Sequence, residues 1–175
     1  MNIAIISGTP RKNGLTKVVA KQLAHKLKGT LVDTSVLELP LFNGEEEQGR
    51  HPSVQWLRRV AEEADAFIWV SPEYHNGMSG ALKNVLEFLS SHHFHQKPTL
   101  LLAVSGGGKG GVNALNQMRT VGRGLYADVV PEQLIFDPID FRSGGLSEQK
   151  ETKLDQLVRD FISNRCQESV SFSSM

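Results

Sequence analysis

Cysteine, net charge and long apolar runs are all scarce in this chain of 175 residues. The single cysteine, Cys166, excludes an internal disulfide, and low cysteine content is typical of proteins from reducing compartments. Lys and Arg together number 19, as do Asp and Glu, so the formal net charge is zero. This balance argues against a polybasic binder of nucleic acid or of a membrane surface.

The apolar runs are also too short for a membrane span or a signal peptide. The longest of them, such as residues 66–70, have five residues, whereas a membrane-spanning helix needs about 20. The N-terminal run, Asn2 to Ile6, stops at Ser7, short of the roughly 7–15 apolar residues of a signal-peptide core. We therefore expect a cytoplasmic protein.

The length fits a single domain, at roughly 100–200 residues per domain. We expect residues 1–165 to form that domain. Residues 166–175 are rich in serine and are expected to form a flexible C-terminal tail.

Strand-like and helix-like segments alternate along the chain. Apolar runs typical of buried strands occupy residues 2–7, 31–37, 66–70, 99–104 and 133–136. Helical spacing of apolar residues occupies residues 15–28, 53–64, 79–90, 112–125 and 147–165, and Gly29 is predicted to be the C-cap of the first helix. Alternation with fully apolar strands predicts an α/β fold in which helices cover both faces of a parallel sheet. Five strands favour a flavodoxin-like three-layer sandwich with strand order 2-1-3-4-5.

The loop after the first predicted strand has the composition of a phosphate-binding loop. In such sheets a ligand lies outside the carboxyl ends of the strands. Gly8 and Gly14 permit backbone amides to face a ligand, Thr9 and Thr16 supply hydroxyls, and Arg11 supplies a planar cation. The N-terminus of the following helix adds its dipole.

This loop does not match the two common nucleotide-binding motifs. Gly8 and Gly14 are one residue too far apart for the loop of nucleotide hydrolases, and Leu15 stands where that loop needs lysine. The G-x-G-x-x-G fingerprint of dinucleotide-binding folds is absent as well. The alternative to phosphate binding is an ordinary strand–helix connection with a surface arginine.

Two further loops follow predicted strands at the same edge. Residues 72–80 combine Tyr74, His75 and two glycines, a composition that suits a flat heteroaromatic ligand. His75 is either a proton donor or a residue that shapes its own loop. Residues 105–111 contain five glycines in seven positions, which allows a ligand to approach the backbone closely unless the segment is a flexible linker. Lys109 within it either meets a phosphate or is a solvated charge.

A histidine-rich segment, His92-His93-Phe94-His95, is a further candidate for a ligand site. It lacks a matching cysteine or acidic cluster of the kind that holds a metal. We therefore predict surface histidines at a helix end and no metal site.

The loops together resemble those of the NADPH-dependent FMN reductase family, over roughly residues 2–140. Pro72 to Asn84 is similar to the family motif Pro-Glu-Tyr-Asn-x-Ser-x-Pro-Gly-x-Leu-Lys-Asn, with three substitutions. Gly8 to Thr16 resembles Gly-Ser-x-Arg-x-x-Ser-x-Asn/Thr, with Gly14 in place of a serine. Within the family, the variant with His75, Gly77 and Ser79 looks most like the small FMN-dependent azoreductases of bacilli.

The resemblance implies an enzyme that takes electrons from NADPH, or from NADH, and passes a hydride through bound FMN to azo compounds or quinones. It also implies a homodimer or homotetramer. The chemistry belongs to the FMN, so no side chain has a catalytic assignment. The residues assigned to FMN are Thr9, Arg11, Gly14, Leu15 and Thr16 at the phosphate, Pro72, Glu73, Tyr74, His75, Asn76 and Gly77 at the isoalloxazine, and Ser105, Gly106 and Gly107 at its pyrimidine side.

Two other classes of protein share the predicted fold. A flavodoxin carries electrons without oxidising a nicotinamide itself, but such carriers are typically strongly acidic, and this chain has no net charge. A phosphate-binding module without flavin is the second alternative.

Overall fold

The computed structural model describes residues 1–107, 110–143 and 145–165, without the side chains of residues 164 and 165. The predicted flexible tail, residues 166–175, and Lys109 lie outside the described residues.

Within the described ranges, strands and helices alternate as the sequence predicts. The strands are β1 (Ile3–Ser7), β2 (Thr30–Asp33), β3 (Ala66–Tyr74), β4 (Gly77–Met78), β5 (Pro98–Val104), β6 (Asp128–Phe136), β7 (Phe141–Arg142) and β8 (Gly145–Leu146). The α-helices are α1 (Leu15–Leu27), α2 (Pro52–Glu63), α3 (Gly80–Glu87), α4 (Ser91–Phe94), α5 (Val112–Gly124) and α6 (Glu148–Arg165). Short 3-10 helices cover Glu46–Arg50 and Pro138–Asp140.

The main sheet has the order β2-β1-β3-β5-β6, and neighbouring strands along this path are parallel. Counted among the five long strands this is 2-1-3-4-5, so the predicted order is confirmed. The small strand β4 pairs antiparallel with the end of β3. A separate two-stranded sheet, β7 with β8, was not predicted.

Alternate residues of the strands enter two apolar cores, one on each face of the sheet. Ile5 and Ile68 pack in one core with Leu23 of α1 and Leu154 of α6. On the opposite face, Ile6, Phe67 and Trp69 pack with α2, α3 and α5 through a shared cluster that includes Leu57, Leu82 and Leu115. This two-sided burial explains why the strands are continuously apolar.

The C-terminus of α1 corrects one prediction. Lys28, not Gly29, is the C-cap and adopts the left-handed conformation at φ 50°. Gly29 is required for another reason, because a Cβ there would lie 2.4 Å from Ile5 Cδ1 and 2.7 Å from the Ile3 carbonyl oxygen. Glycine at position 29 therefore leaves room for the neighbouring strand β1. It is not the residue that ends the helix.

Several element boundaries also differ from the prediction. Strand β2 stops at Asp33, whose carbonyl accepts the Leu37 amide at 2.9 Å in a turn. Strand β6 begins at Asp128, and Pro131 lies within a register shift between the pairs Thr99–Val129 and Leu101–Gln133. Proline is tolerated there because an edge strand leaves some amides outside the ladder.

Candidate functional site

A cavity of about 320 Å³ opens at the carboxyl ends of β1, β3 and β5. All three predicted loops contribute to it, and Val104 is the one lining residue that was not predicted. The lining residues are Thr9, Arg11, Gly14, Leu15, Thr16, Pro72, Glu73, Tyr74, Val104, Ser105 and Gly106. Four assigned residues, His75, Asn76, Gly77 and Gly107, are outside this lining.

The N-terminus of α1 faces this cavity without a side chain to cap it. Gly14 is the N-cap residue and makes no side-chain hydrogen bond, and the first turn of the helix contains no acidic residue. Thr9 and Thr16 are both buried at the cavity wall. An uncapped helix N-terminus has unpaired amides and partial positive charge, which suits an anion.

A side chain at position 14 would be crowded, because the loop turns tightly on itself. Its backbone is extended (φ −80°, ψ 147°), so no left-handed conformation requires a glycine. A Cβ at this position would lie 3.0 Å from Thr9 Oγ1 and 3.3 Å from the Arg11 Cβ. Where the family motif has serine, this chain therefore keeps the space open beside the Thr9 hydroxyl.

Hydrogen bonds to neighbouring elements fix the first loop. The Gly8 amide donates to the Val70 carbonyl at 2.8 Å, and the Ser79 hydroxyl donates to the Gly8 carbonyl. The Thr34 hydroxyl lies 2.7 Å from the Ser7 carbonyl oxygen and 2.9 Å from that of Thr9. Sequence reasoning missed Thr34, since it follows a different strand and carries no motif.

A buried ion pair lies behind this loop. Lys17 Nζ, from the first turn of α1, is 2.9 Å from an Asp33 carboxylate oxygen, and each side chain is only 10% exposed. Burial alone would raise the pKa of Asp33, but hydrogen bonds from Lys17 and Ser35 outweigh it and hold that pKa below its ordinary value. The charge of Lys17 is thus committed to Asp33, and of the described lining residues Arg11 alone is cationic.

Arg11 lies close to the aromatic wall of the cavity. Its guanidinium carbon is 5.4 Å from the centre of the Tyr74 ring, a cation–π distance. The side chain of Arg11 is otherwise exposed. It therefore lies between solvent and the cavity, whose lining also includes the N-terminal residues of α1.

The second loop is shorter than predicted, because β3 continues past residue 70 to Tyr74. His75 and Asn76 form the turn of a hairpin at φ 49° and 63°, and β4 returns from it. Positive φ at both central residues is the geometry of a two-residue hairpin turn that matches strand twist. The prediction of an irregular loop from 72 to 80 is therefore wrong. His75 and Asn76 are exposed at its tip.

Glu73 and the third loop connect this wall to α5. A Glu73 carboxylate oxygen accepts the Ala114 amide at 3.0 Å, in the first turn of α5. The Ser105 amide donates to the Phe136 carbonyl at 2.8 Å, and the Ser105 hydroxyl accepts the Gly107 amide at 3.3 Å. Ser105 is thus fixed at the end of β5.

Gly107 lies in the third loop, after β5. Its φ is not positive, unlike that of Gly110 at +61°, and a Cβ on Gly107 would have no heavy atom of the described chain within 4 Å. The backbone conformation therefore does not require glycine at this position. Room for a ligand is the remaining physical reason for glycine there.

Outside the cavity, the histidine-rich segment differs from its prediction. His93 is only 7% exposed, and its Nδ1 lies 3.0 Å from the Ser90 amide, which donates to it. Burial lowers the pKa of His93. The expectation of surface histidines is thus wrong for His93, because it caps the short helix α4 from within. The described residues contain no group of three His, Cys, Asp or Glu side chains placed to hold a metal.

No helix in the described part of the chain is long and apolar enough to cross a membrane. The sheet order and the cavity outside β1, β3 and β5 define a flavodoxin-like α/β protein. Residues 1–139 match the model of the NADPH-dependent FMN reductase family. The chain belongs to that family, so the resemblance predicted from its loops is confirmed.

Individual relatives agree with this assignment. The chain is 46% identical over 160 residues to an NADPH azoreductase of Bacillus sp. (strain OY1-2), covering 91% of this chain and 90% of the relative. It is 31% identical over 147 residues to an FMN-dependent NADPH-azoreductase of Staphylococcus aureus (strain USA300), covering 78% and 77%. The structure of FerB, a flavoenzyme NAD(P)H:(acceptor) oxidoreductase from Paracoccus denitrificans, superposes with a TM-score of 0.79 at 21% identity, covering 95% and 97%. At that identity the superposition supports the fold alone.

Proposed function

We propose that this protein is an FMN-dependent NADPH oxidoreductase that reduces azo compounds or quinones. Membership of the FMN reductase family supports FMN as the cofactor and NADPH as the electron donor. The two azoreductase relatives support an azo compound as one acceptor. The observation that carries the proposal is the cavity at the uncapped N-terminus of α1, lined by all three loops.

The residues at the α1 end of the cavity fit the phosphate of FMN. Buried Thr9 and Thr16 offer hydroxyls, and Leu15 and Thr16 place their backbone in the first helical turn. The space beside Thr9 that a Cβ on Gly14 would fill is open. Arg11 supplies the counter-charge, and guanidinium groups suit phosphate geometry.

The opposite part of the cavity fits a flat ring system. Pro72, Glu73 and Tyr74 form one wall, and Ser105 with Gly106 forms another. A Cβ on Gly106 would have no described heavy atom within 4 Å, so the backbone is open to a ring. We assign the isoalloxazine to this part, and we keep His75, Asn76, Gly77 and Gly107 as residues at its periphery.

FMN, held by Thr9, Arg11 and Thr16 at its phosphate, would supply the redox chemistry, which is hydride transfer from NADPH to the acceptor. The chain binds and orients the flavin, and its cavity walls decide which face stays open. Glu73 is the one carboxylate among the described lining residues, and it accepts the Ala114 amide. No histidine lines this cavity in the described chain. We therefore assign no side-chain acid at this site, since solvent can supply the protons.

The decisive experiment is a steady-state assay of the purified holoprotein with NADPH and with NADH, each against a quinone and an azo dye. We expect a yellow protein whose flavin absorbance is bleached by NADPH and restored by the acceptor. Bound flavin that NADPH does not bleach would indicate an electron carrier of the flavodoxin type. A colourless protein that gains no flavin absorbance with added FMN would leave a phosphate-binding module.

We further propose a homodimer or homotetramer acting in the cytoplasm, built from one domain over residues 1–165. Exposed apolar side chains in the loop after β2, including Leu41 at 81% exposure and Val36, support self-association. The use of NADPH supports a cytoplasmic site of action. Light scattering of the holoprotein after size-exclusion chromatography tests the assembly, and a monomer at micromolar concentration would contradict it.

A further inference from the structure

The wall that presents Tyr74 to the cavity extends beyond the main sheet. Strand β3 pairs with β1 only as far as Val70 and with β5 only as far as Pro72. Glu73 and Tyr74 are paired instead with the two residues of β4, Met78 and Gly77. A short two-stranded hairpin has little stability of its own, so this part of the wall needs support from elsewhere.

Helix α5 supplies that support through two side chains, one on each strand of the hairpin. Glu73, on β3, accepts the Ala114 amide at 3.0 Å. Gln117, on α5, accepts the Met78 amide through Oε1 at 3.0 Å. Both strands of the hairpin are thereby attached to one helix, which itself packs in the core through Leu115 and Met118.

The amino acid at position 77 gives independent evidence for the role of Gln117. Gly77 is buried and its φ is not positive, so the backbone conformation does not require a glycine. A Cβ there would lie 2.7 Å from Gln117 Oε1 and 3.0 Å from Gln117 Nε2. The absence of a side chain at 77 therefore makes room for the Gln117 carboxamide against the hairpin.

We propose that Gln117 is a positioning residue that sets the place of the β3–β4 hairpin, and through it the isoalloxazine ring of FMN. This inference rests on the proposed function, since it assumes that the flavin ring lies against residues 72–74. Gln117 does not line the cavity. It acts through Met78 and the strand pairing of β4 with Tyr74.

Two substitutions separate the hydrogen bond of Gln117 from its bulk. Gln117→Leu removes the acceptor, and Gln117→Glu keeps an oxygen in the same place. In Gln117→Leu we expect the Kd for FMN to rise about 2- to 10-fold, the range for one net hydrogen bond, and the midpoint potential of FMN to shift. Gln117→Glu is expected to restore the Kd to near that of the wild type, while its added negative charge lowers the midpoint potential.

Asn116→Ala is the matched control. Asn116 neighbours Gln117 on the same helix, is exposed, and has no hydrogen bond to the hairpin among the described contacts. Holo-Asn116→Ala should have wild-type FMN affinity, potential and NADPH kinetics. If Gln117→Leu equals Asn116→Ala in all three, the proposal is overturned. A wild-type protein that neither binds FMN nor oxidises NADPH would instead refute the proposed function.

A double-substitution cycle tests the contact with Gly77 even where one variant folds poorly. Gly77→Ala places a methyl group against Gln117, and Gln117→Ala removes the group that it meets. We expect Gly77→Ala to weaken FMN binding more in the wild-type background than in Gln117→Ala, because contacting residues are not additive. Additive effects of the two substitutions on the Kd for FMN would show that the Gln117 carboxamide does not set the hairpin.

Discussion

Among the helices that begin at the carboxyl edge of the sheet, α1 and α5 differ in what lies against their N-termini. Helix α5 has a carboxylate of the same chain in its first turn, since Glu73 accepts the Ala114 amide at 3.0 Å. Helix α1 has Gly14 as its N-cap residue, no side-chain cap and no acidic residue in its first turn. Both N-termini need hydrogen-bond acceptors from outside the helix, because the first amides of any helix lack intrahelical partners.

The difference shows where an external anion belongs. The positive end of α5 already faces the charge of Glu73, so a phosphate there would meet a carboxylate. The positive end of α1 faces Thr9, Thr16 and the only described cation of the lining, Arg11. This difference supports the proposal that the phosphate of FMN lies toward α1 and its ring toward the hairpin, which Glu73 connects to α5.

The largest expected effect comes from removing the ion pair behind the α1 terminus. Asp33→Asn leaves the buried Lys17 ammonium without its counter-charge next to the positive end of α1, with the Ser35 hydroxyl at 2.7 Å as a neutral partner. In the wild type both side chains of the pair are 10% exposed. Removing one partner of a buried pair costs about 3–5 kcal/mol. Urea unfolding of the apoprotein measures this loss of unfolding free energy.

Asp155→Asn is the control for Asp33→Asn. It breaks an ion pair with Lys26 in which the side chains are 33% and 29% exposed, so its cost should stay below about 1 kcal/mol. Acid titration adds a second readout. The folded pKa of Asp33 lies below its unfolded value of about 3.9, so its stabilisation is present above about pH 4 and is lost as the pH falls through the folded pKa. Asp33→Asn should lose less stability over that acidic range than the wild type.

The second largest expected effect is on FMN affinity, from removal of the cation near the N-terminus of α1. Arg11→Ala is expected to raise the Kd for FMN roughly 10- to 150-fold, because a hydrogen bond to a charged group contributes about 1.5–3 kcal/mol. Fluorescence titration of the apoprotein with FMN measures it. Lys12→Ala, one residue along and outside the cavity lining, should bind FMN as the wild type does. An unchanged Kd for Arg11→Ala would remove Arg11 from the phosphate ligands.

A third substitution tests the carboxylate at the N-terminus of α5. Glu73→Gln keeps an oxygen for the Ala114 amide but removes the charge at the α5 N-terminus. We expect a loss of about 0.3–1 kcal/mol in unfolding free energy, the usual contribution of an acidic group at a helix start. Thermal unfolding of the apoprotein measures it, with loss at low salt exceeding loss at high salt. A loss above that of Asp33→Asn would mean that Glu73 has a further role in the fold.

The anion-binding character of the α1 N-terminus was predictable from sequence. The contact of Glu73 with the N-terminus of α5 was not. Glycines, hydroxyls and an arginine between an apolar strand and an amphipathic helix are local signals, and they led to Thr9, Arg11 and Thr16. The contact of Glu73 with Ala114 joins residues 41 positions apart, and no local pattern indicates it. Sequence reasoning therefore placed Glu73 at the flavin without its partner on α5.

The β3–β4 hairpin was likewise not predictable from local sequence patterns. Ser71-Pro72 looked like the end of a strand, because proline commonly interrupts strands. In the structure Pro72 pairs with Val104 at the end of β5, and the chain stays extended to Tyr74. Two non-glycine residues, His75 and Asn76, then adopt positive φ, which a motif of glycine turns does not predict. Side chains that connect both strands of the hairpin to α5, Glu73 and Gln117, add tertiary support to this turn.

The smallest expected effect is at the loop that leads into α5. Gly107→Val adds a side chain where a Cβ would have no described heavy atom within 4 Å, at a φ that is not positive, so apoprotein stability should change by no more than about 0.5 kcal/mol. Gly110→Val is the control, since a β-branched residue at φ +61° should cost about 1–3 kcal/mol.

The same Gly107→Val protein tests whether the third loop contacts the flavin. If the apoprotein is as stable as expected, a lower FMN content must arise because the valine side chain occupies the space of the flavin ring. We expect reduced FMN per protomer in soluble, folded Gly107→Val, with a melting temperature of the apoprotein equal to that of the wild type. Full FMN occupancy with normal NADPH oxidation would make the loop a spacer before α5, and Gly107 would then be withdrawn from the flavin site.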